Sequence, residues 1–147
     1  MSVSIIKAIL EADATLLATA SGGIYDLDET KRMGLNRTNV AAAFTDQGVI
    51  KPCLLVKGRK RAPDGGPNDP ISQEATTRQV VELWFYQSDG YGSIETMKNR
   101  AYALLHEKQA NGVFAIRWVG DIGQARDEDL EANVDRSDYE VRALRTV

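Results

Sequence analysis

Residues 77–108 read TRQVVELWFYQSDGYGSIETMKNRAYALLHEK, and this stretch decides the fold. From Arg78 to Tyr86 the chain alternates. After Gln79, the residues Val81, Leu83 and Phe85 form one wholly apolar row. Arg78, Val80, Glu82, Trp84 and Tyr86 form the other row, which is mixed. A period of two predicts a sheet strand with one buried face and one face whose aromatics need partners. Asp89-Gly90 supplies the turn, and Ser93 is placed to cap a helix with Glu95 in its first turn. Ile94, Met97, Ala101, Leu104 and Leu105 then follow helical spacing, which predicts an amphipathic helix from Ile94 to Lys108 stopped by Asn111-Gly112. Its stripe is expected to pack on Val81, Leu83 and Phe85. Nothing in the stretch resembles a catalytic motif.

Toward the N-terminus, Ser4 to Glu11 predicts a first helix, with Ile5, Ile6, Ile9 and Leu10 on one side and Ser2 or Ser4 as cap. Asp13 is the expected cap of a short helical turn through Leu17, and Gly22-Gly23 ends that unit. Ile24-Tyr25 reads as a brief strand, and Asp26 to Asn39 as polar and irregular. Asn39 would cap a short helix from Val40 to Phe44. Pro52 then opens a strand from Cys53 to Lys57, since a first-position proline leaves the ladder intact. Lys57 to Asp69, KGRKRAPDGGPND, has the Gly, Pro and charge content of a long loop. Beyond the central helix, Val113 to Val119 and Tyr139 to Arg145 predict two more strands, joined by an acidic connection from Gly120 to Asp138.

Four strands and two main helices predict an α+β layer: a mostly antiparallel four-stranded sheet covered on one face by two main helices, with long inter-strand loops. The step from Phe85 through the helix to Val113 leaves the relative direction of those two strands open. A chain of 147 residues fits one domain over 1–147, with flexible loops expected at 57–77 and 120–138.

Composition narrows the function classes. Apolar residues make up 43% and charged residues 27%, ordinary for a soluble globular protein, and the net charge of -3 argues against a general polyanion binder. One cysteine, Cys53, excludes an intrachain disulfide framework and a cysteine-rich metal site. No stretch approaches the roughly 18 apolar residues of a membrane span. Glu11 and Asp13 inside the first apolar pattern favour a structural helix over a signal peptide.

Candidate chemistry is sparse. His106 is the one histidine, at a helix end where a solvated side chain is expected, so a hydrolase would have to be built on it alone. No Gly-x-Ser-x-Gly elbow and no nucleotide loop can be drawn. From Asp121 to Arg142 there are eight acids and three arginines, without calcium-loop spacing. From Lys51 to Arg61 there are five basic residues and no acid. A solvated surface is the plain reading of each pole. The sharper reading is head-to-tail pairing between copies, basic pole against acidic pole. The candidate interface residues are therefore Lys57, Arg59, Lys60 and Arg61, then Glu82, Trp84 and Tyr86 on the mixed strand face, and Asp127, Glu128, Asp129 and Glu131. No catalytic, cofactor or metal-ligating residue is assigned. A stand-alone nucleic-acid module resting on the basic pole is the rival class.

The order of elements carries a resemblance. An N-terminal helix ending in Asp13-Ala14-Thr15-Leu16-Leu17 precedes Gly23-Ile24-Tyr25 and a polar stretch. Pro52-Cys53-Leu54-Leu55-Val56, the strand Val80 to Tyr86, the helix Ile94 to His106, a Gly-led strand and a closing strand from Tyr139 follow. Over most of the chain this resembles the small tail-completion or tail-terminator proteins of long-tailed bacteriophages and their relatives in prophages and gene-transfer particles. The resemblance implies a virion protein of the neck, assembled in the host cytoplasm. It would form a homo-oligomeric ring, commonly a hexamer, at the head-proximal end of the tail. Such a ring ends tube polymerisation and takes part in head-tail joining. The implied partners are the tail tube protein and the head-tail connector protein, with possible contact to DNA in the channel and no membrane. A head-closure or connector subunit of the same particle is the nearest alternative.

Overall fold

The long strand and the helix of residues 77–108 are both present in the computed structural model, which describes residues 2–63, 76–109 and 113–144. The strand, β4, runs Thr76–Gln87; the helix, α3, runs Gly92–Leu105. Ahead of them lie α1 (Ser2–Glu11), α2 (Ala14–Thr19), β1 (Ile24–Asp26), a 3-10 turn at Ala41–Ala43, β2 (Cys53–Gly58) and β3 (Ala62–Pro63). After α3 come β5 (Val113–Asp121), β6 (Ala125–Asp127) and β7 (Ala132–Leu144). The expected stop at Asn111-Gly112, most of the long loop after Arg61 and the last residue of the closing strand lie outside the described residues.

The four-stranded sheet expected from the sequence is corrected to a mixed seven-stranded one. Its path is β1-β2-β4-β7-β5, with β3 pairing β4 and β6 pairing β7. β1 pairs β2 in parallel, and every other pairing is antiparallel. β4 and β5 are both antiparallel to β7, which lies between them, so α3 joins two strands of like direction. β1, β3 and β6 hold two or three residues each, too few to show a period. β7 begins at Ala132 and not at Tyr139, so the acidic connection expected over Gly120 to Asp138 is largely paired strand. Asn133, Asp135, Arg136, Ser137 and Asp138 hide that strand because their polarity breaks any alternation.

All three helices cover one face. Ile6, Leu10 and Leu16 from α1 and α2 and Ile94, Met97, Ala101 and Leu105 from α3 are buried against Leu54, Val56, Val81, Leu83, Phe85, Ile116, Tyr139 and Val141. Leu104 packs at the rim of this core. Each such side chain contributes roughly 1.5–3 kcal/mol of transfer free energy. Asp13 caps α2 as its position predicts, its Oδ2 accepting from Leu16 N at 2.8 Å. The same carboxylate grips Arg100 of α3 through bonds of 2.8 and 2.7 Å, tying the two helices together.

The start of α3 departs from the expected cap. Gly92 rather than Ile94 opens the helix, and the N–H groups of Ser93 and Ile94 donate to Gln87 Oε1 at 2.9 and 3.2 Å. Gln87 is the last residue of β4, so the strand caps the helix that follows it and fixes the intervening turn.

Candidate functional site

The opposite face of the sheet carries the functional candidates. Cys53 and Leu55 of β2, Tyr86 of β4 and Ala132 and Val134 of β7 form its apolar half. Leu35, Val40, Ala43, Phe44 and Ile50 cover them from the irregular segment 27–50, with Leu130 closing the cluster. No regular helix does this work. Asn36 Oδ1 accepts from Thr38 N and Asn39 N at 3.0 and 2.7 Å, and the Asn39 amide donates to Thr30 O at 3.3 Å. These local bonds hold the segment in shape. The helix expected over Val40–Phe44 is reduced to the 3-10 turn, and Asn39 does not cap it. Cys53 is buried here, and burial pushes its thiol up to about 12.

Beyond the cover, the same face is charged. Arg59 Nε binds Glu82 Oε2 at 2.6 Å, and Arg59 Nη2 binds Asp138 Oδ2 at 3.2 Å. Arg136 joins from β7, with Nε 3.0 Å from Asp138 Oδ1 and Nη1 3.9 Å from Glu82 Oε1. The Arg136 Nε–Asp138 Oδ1 contact is an ion pair without aligned hydrogen bonding, for both atoms are buried and neither makes a directed bond. Trp84 Nε1 donates to Glu82 Oε1 at 3.0 Å, while Lys57 Nζ and Arg136 Cζ lie over the indole at 4.9 and 5.3 Å. Burial opposes the charge on Glu82, yet bonds from Arg59 and Trp84 and the nearby Arg136 charge keep its carboxyl below the usual range.

The structure thus brings Lys57, Arg59, Glu82 and Trp84 into one network, and it separates the other candidates from them. Lys60 and Arg61 are exposed in the turn between β2 and β3. Tyr86 is buried beneath the covering segment. Asp127 shapes the β6–β7 turn, where its Oδ1 accepts from Asp129 N and Leu130 N at 3.0 and 3.1 Å. Glu131 completes that turn at φ 53°, and Glu128 points outward, 3.9 Å from Arg126. Lys57, Asp127 and Asp129 share one open groove of about 680 Å³ with residues 33–39, Leu55, Tyr86 and Leu130. The two poles therefore meet at this groove within one chain.

Part of the acidic pole faces inward. Asp135 Oδ2 and Asp121 Oδ2 hold Lys98 Nζ of α3 at 2.8 and 3.3 Å, and Glu95 stands 3.5 Å away. Ser137 Oγ donates to Asp121 Oδ1 at 2.6 Å. Among the described residues, no group of three His, Cys, Asp or Glu side chains is arranged to hold a metal ion.

A second cluster is assembled by the fold and follows no single sequence pattern. Tyr102 and His106 stack at 4.8 Å, and Trp118 meets Tyr102 edge-on at 6.0 Å. His106 Nδ1 accepts from Trp118 N at 3.2 Å, and Glu107 N donates to Ile116 O at 2.7 Å. The end of α3 thus covers part of the outer edge of β5. Trp118, Val119 and Ile122 remain 43%, 58% and 64% exposed on the described surface. The Tyr102–His106 spacing of four residues was a visible signal, but its partner Trp118 is brought in by the sheet.

No family model matches this chain, and no curated protein matches it. Among solved structures, it is similar to a chain of one described as "Virion of native gene transfer agent (GTA) particle". The TM-score is 0.60 at 12% identity, covering 95% of this chain and 92% of that one. The likeness is one of fold, spanning nearly the whole of both chains.

Proposed function

We propose that this protein is a structural subunit of a phage-like particle, forming a homo-oligomeric ring at the head-proximal end of the tail that ends tube growth and joins the tail to the head. The observation that carries the reading is the near end-to-end fold likeness to a chain of a gene-transfer-agent virion. The resemblance in element order supports the finer placement at the neck. A ring of identical subunits needs two unlike surfaces on each copy. The exposed basic turn at Lys60 and Arg61 and the outward carboxylates of Glu128, Asp129 and Glu131 supply complementary charge for such a contact. In this reading Arg59 and Glu82 hold the sheet face in shape, and the tail tube and the connector take the ring's two flat sides.

Electron microscopy of the purified protein, alone and mixed with tails that lack it, tests the proposal. Closed rings seated on the head-proximal tail end are expected. A monomer at high concentration that also ignores tails overturns the reading, and rings that bind only the head opening reassign the subunit to head closure.

A further inference from the structure

On the open half of the sheet face, Arg78 of β4 lies directly opposite Arg142 of β7. Like charges paired across strands are destabilising. Arg142 is also in register with Ala115, and its neighbour Arg117 on β5 stands opposite Glu140. Alternation places Arg78, Arg117 and Arg142 on the same side as Glu82 and Trp84. All three are exposed. Among the described residues, Glu140 is the acid within this band, 3.0 Å from Arg142 Nε. Three arginines against one acid, counted among the described residues, make a basic band on a chain of net charge -3.

We propose that this band binds the phosphate backbone of duplex DNA without regard to sequence. Adjacent strands lie about 4.8 Å apart, so Arg78, Arg142 and Arg117 cross about 10 Å of the sheet face from β4 to β5. Arginine forks suit phosphate oxygens at that scale. A protein partner would call for an apolar centre. Of the exposed large hydrophobic side chains among the described residues, Trp118 and Val119 lie on the edge strand β5 and none lies on β4 or β7, so the centre of the band is not apolar. Single strands would call for a free stacking aromatic, whereas Trp84 is already engaged by Lys57, Arg136 and Glu82. Backbone contact with a duplex is the chemistry left. The inference does not require the ring.

Fluorescence anisotropy with labelled duplexes of two unrelated sequences tests it. Three phosphate contacts predict that affinity falls about 40-fold between about 50 and 200 mM salt, equally for both sequences. Arg78→Gln/Arg117→Gln/Arg142→Gln should weaken binding by at least about tenfold at the lower salt and flatten the salt slope. A charge-matched Lys31→Gln/Arg32→Gln/Arg126→Gln variant should bind as the parent does. Circular dichroism checks folding, and Arg78→Gln alone, which removes the like-charge opposition, should weaken binding without lowering the melting temperature. Absence of binding by the parent at low salt overturns the proposal, as does a triple variant that binds like its control. A triple variant that changes only the oligomer mass makes the band a protein contact and equally overturns it.

Discussion

Phe85 and Tyr86 are neighbours in one strand, yet they are buried in different ways. Phe85 lies beneath three helices, in a core of aliphatic side chains supplied by regular elements. Tyr86 lies beneath segment 27–50, which is held by short-range bonds from Asn36 and Asn39. Farther along the same face the cover ends, and an ion network of Arg59, Glu82, Arg136 and Asp138 takes its place. One face is built for stability. The other combines a smaller core with a charged surface, and that is where a surface for partners can exist.

Truncation on the helix-covered face should do most damage. Phe85→Ala is expected to cost about 3–5 kcal/mol, read as a lower urea midpoint at unchanged slope. A loss below about 1 kcal/mol would erase the distinction between the faces. Leu35→Ala, on the irregular cover, should cost about 2 kcal/mol, because a segment without helical packing can settle into the gap. If it costs as much as Phe85→Ala, the cover is as rigid as the helices.

Glu82→Gln removes the carboxylate that gathers Arg59, Arg136 and Trp84, and is expected to cost about 1–2 kcal/mol at neutral pH. The folded-state pKa of Glu82 lies below its ordinary value. Its stabilisation is therefore present above the ordinary carboxylate range and is lost as pH falls through the lowered value. Melting temperature against pH should fall less steeply on the acid side in Glu82→Gln than in the parent; parallel curves would remove Glu82 from the account. The smallest effect belongs to the helix side. Arg100 holds the Asp13 carboxyl down to about 2 from 3.8, against an opposing desolvation and with help from Leu16 N. Its contribution is complete above about pH 4 and disappears as pH approaches about 2. Asp13→Asn keeps a cap acceptor and should flatten the melting curve only in that window.

The helix-covered face was readable from the sequence because its residues obey regular periods. Val81, Leu83 and Phe85 repeat at two, and Ile94, Met97, Ala101 and Leu105 repeat at helical spacing. The other face was not. Leu35, Val40, Phe44 and Leu130 belong to no period, and the polar start of β7 conceals a strand pinned by β4. Glu82 and Trp84 read as a mixed face in the sequence, but their partners Arg136 and Asp138 are more than fifty residues away and are assembled by strand pairing alone. Arg78, Arg117 and Arg142 are likewise ordinary surface arginines until the register aligns them.

The central claim, that this is a neck subunit of a phage-like particle, is tested most directly by gold-labelled antibody to the protein on intact particles from its source. The account predicts label confined to the junction of head and tail. Label spread over the head shell, along the tail or at its distal tip, or particles free of the protein altogether, would contradict it.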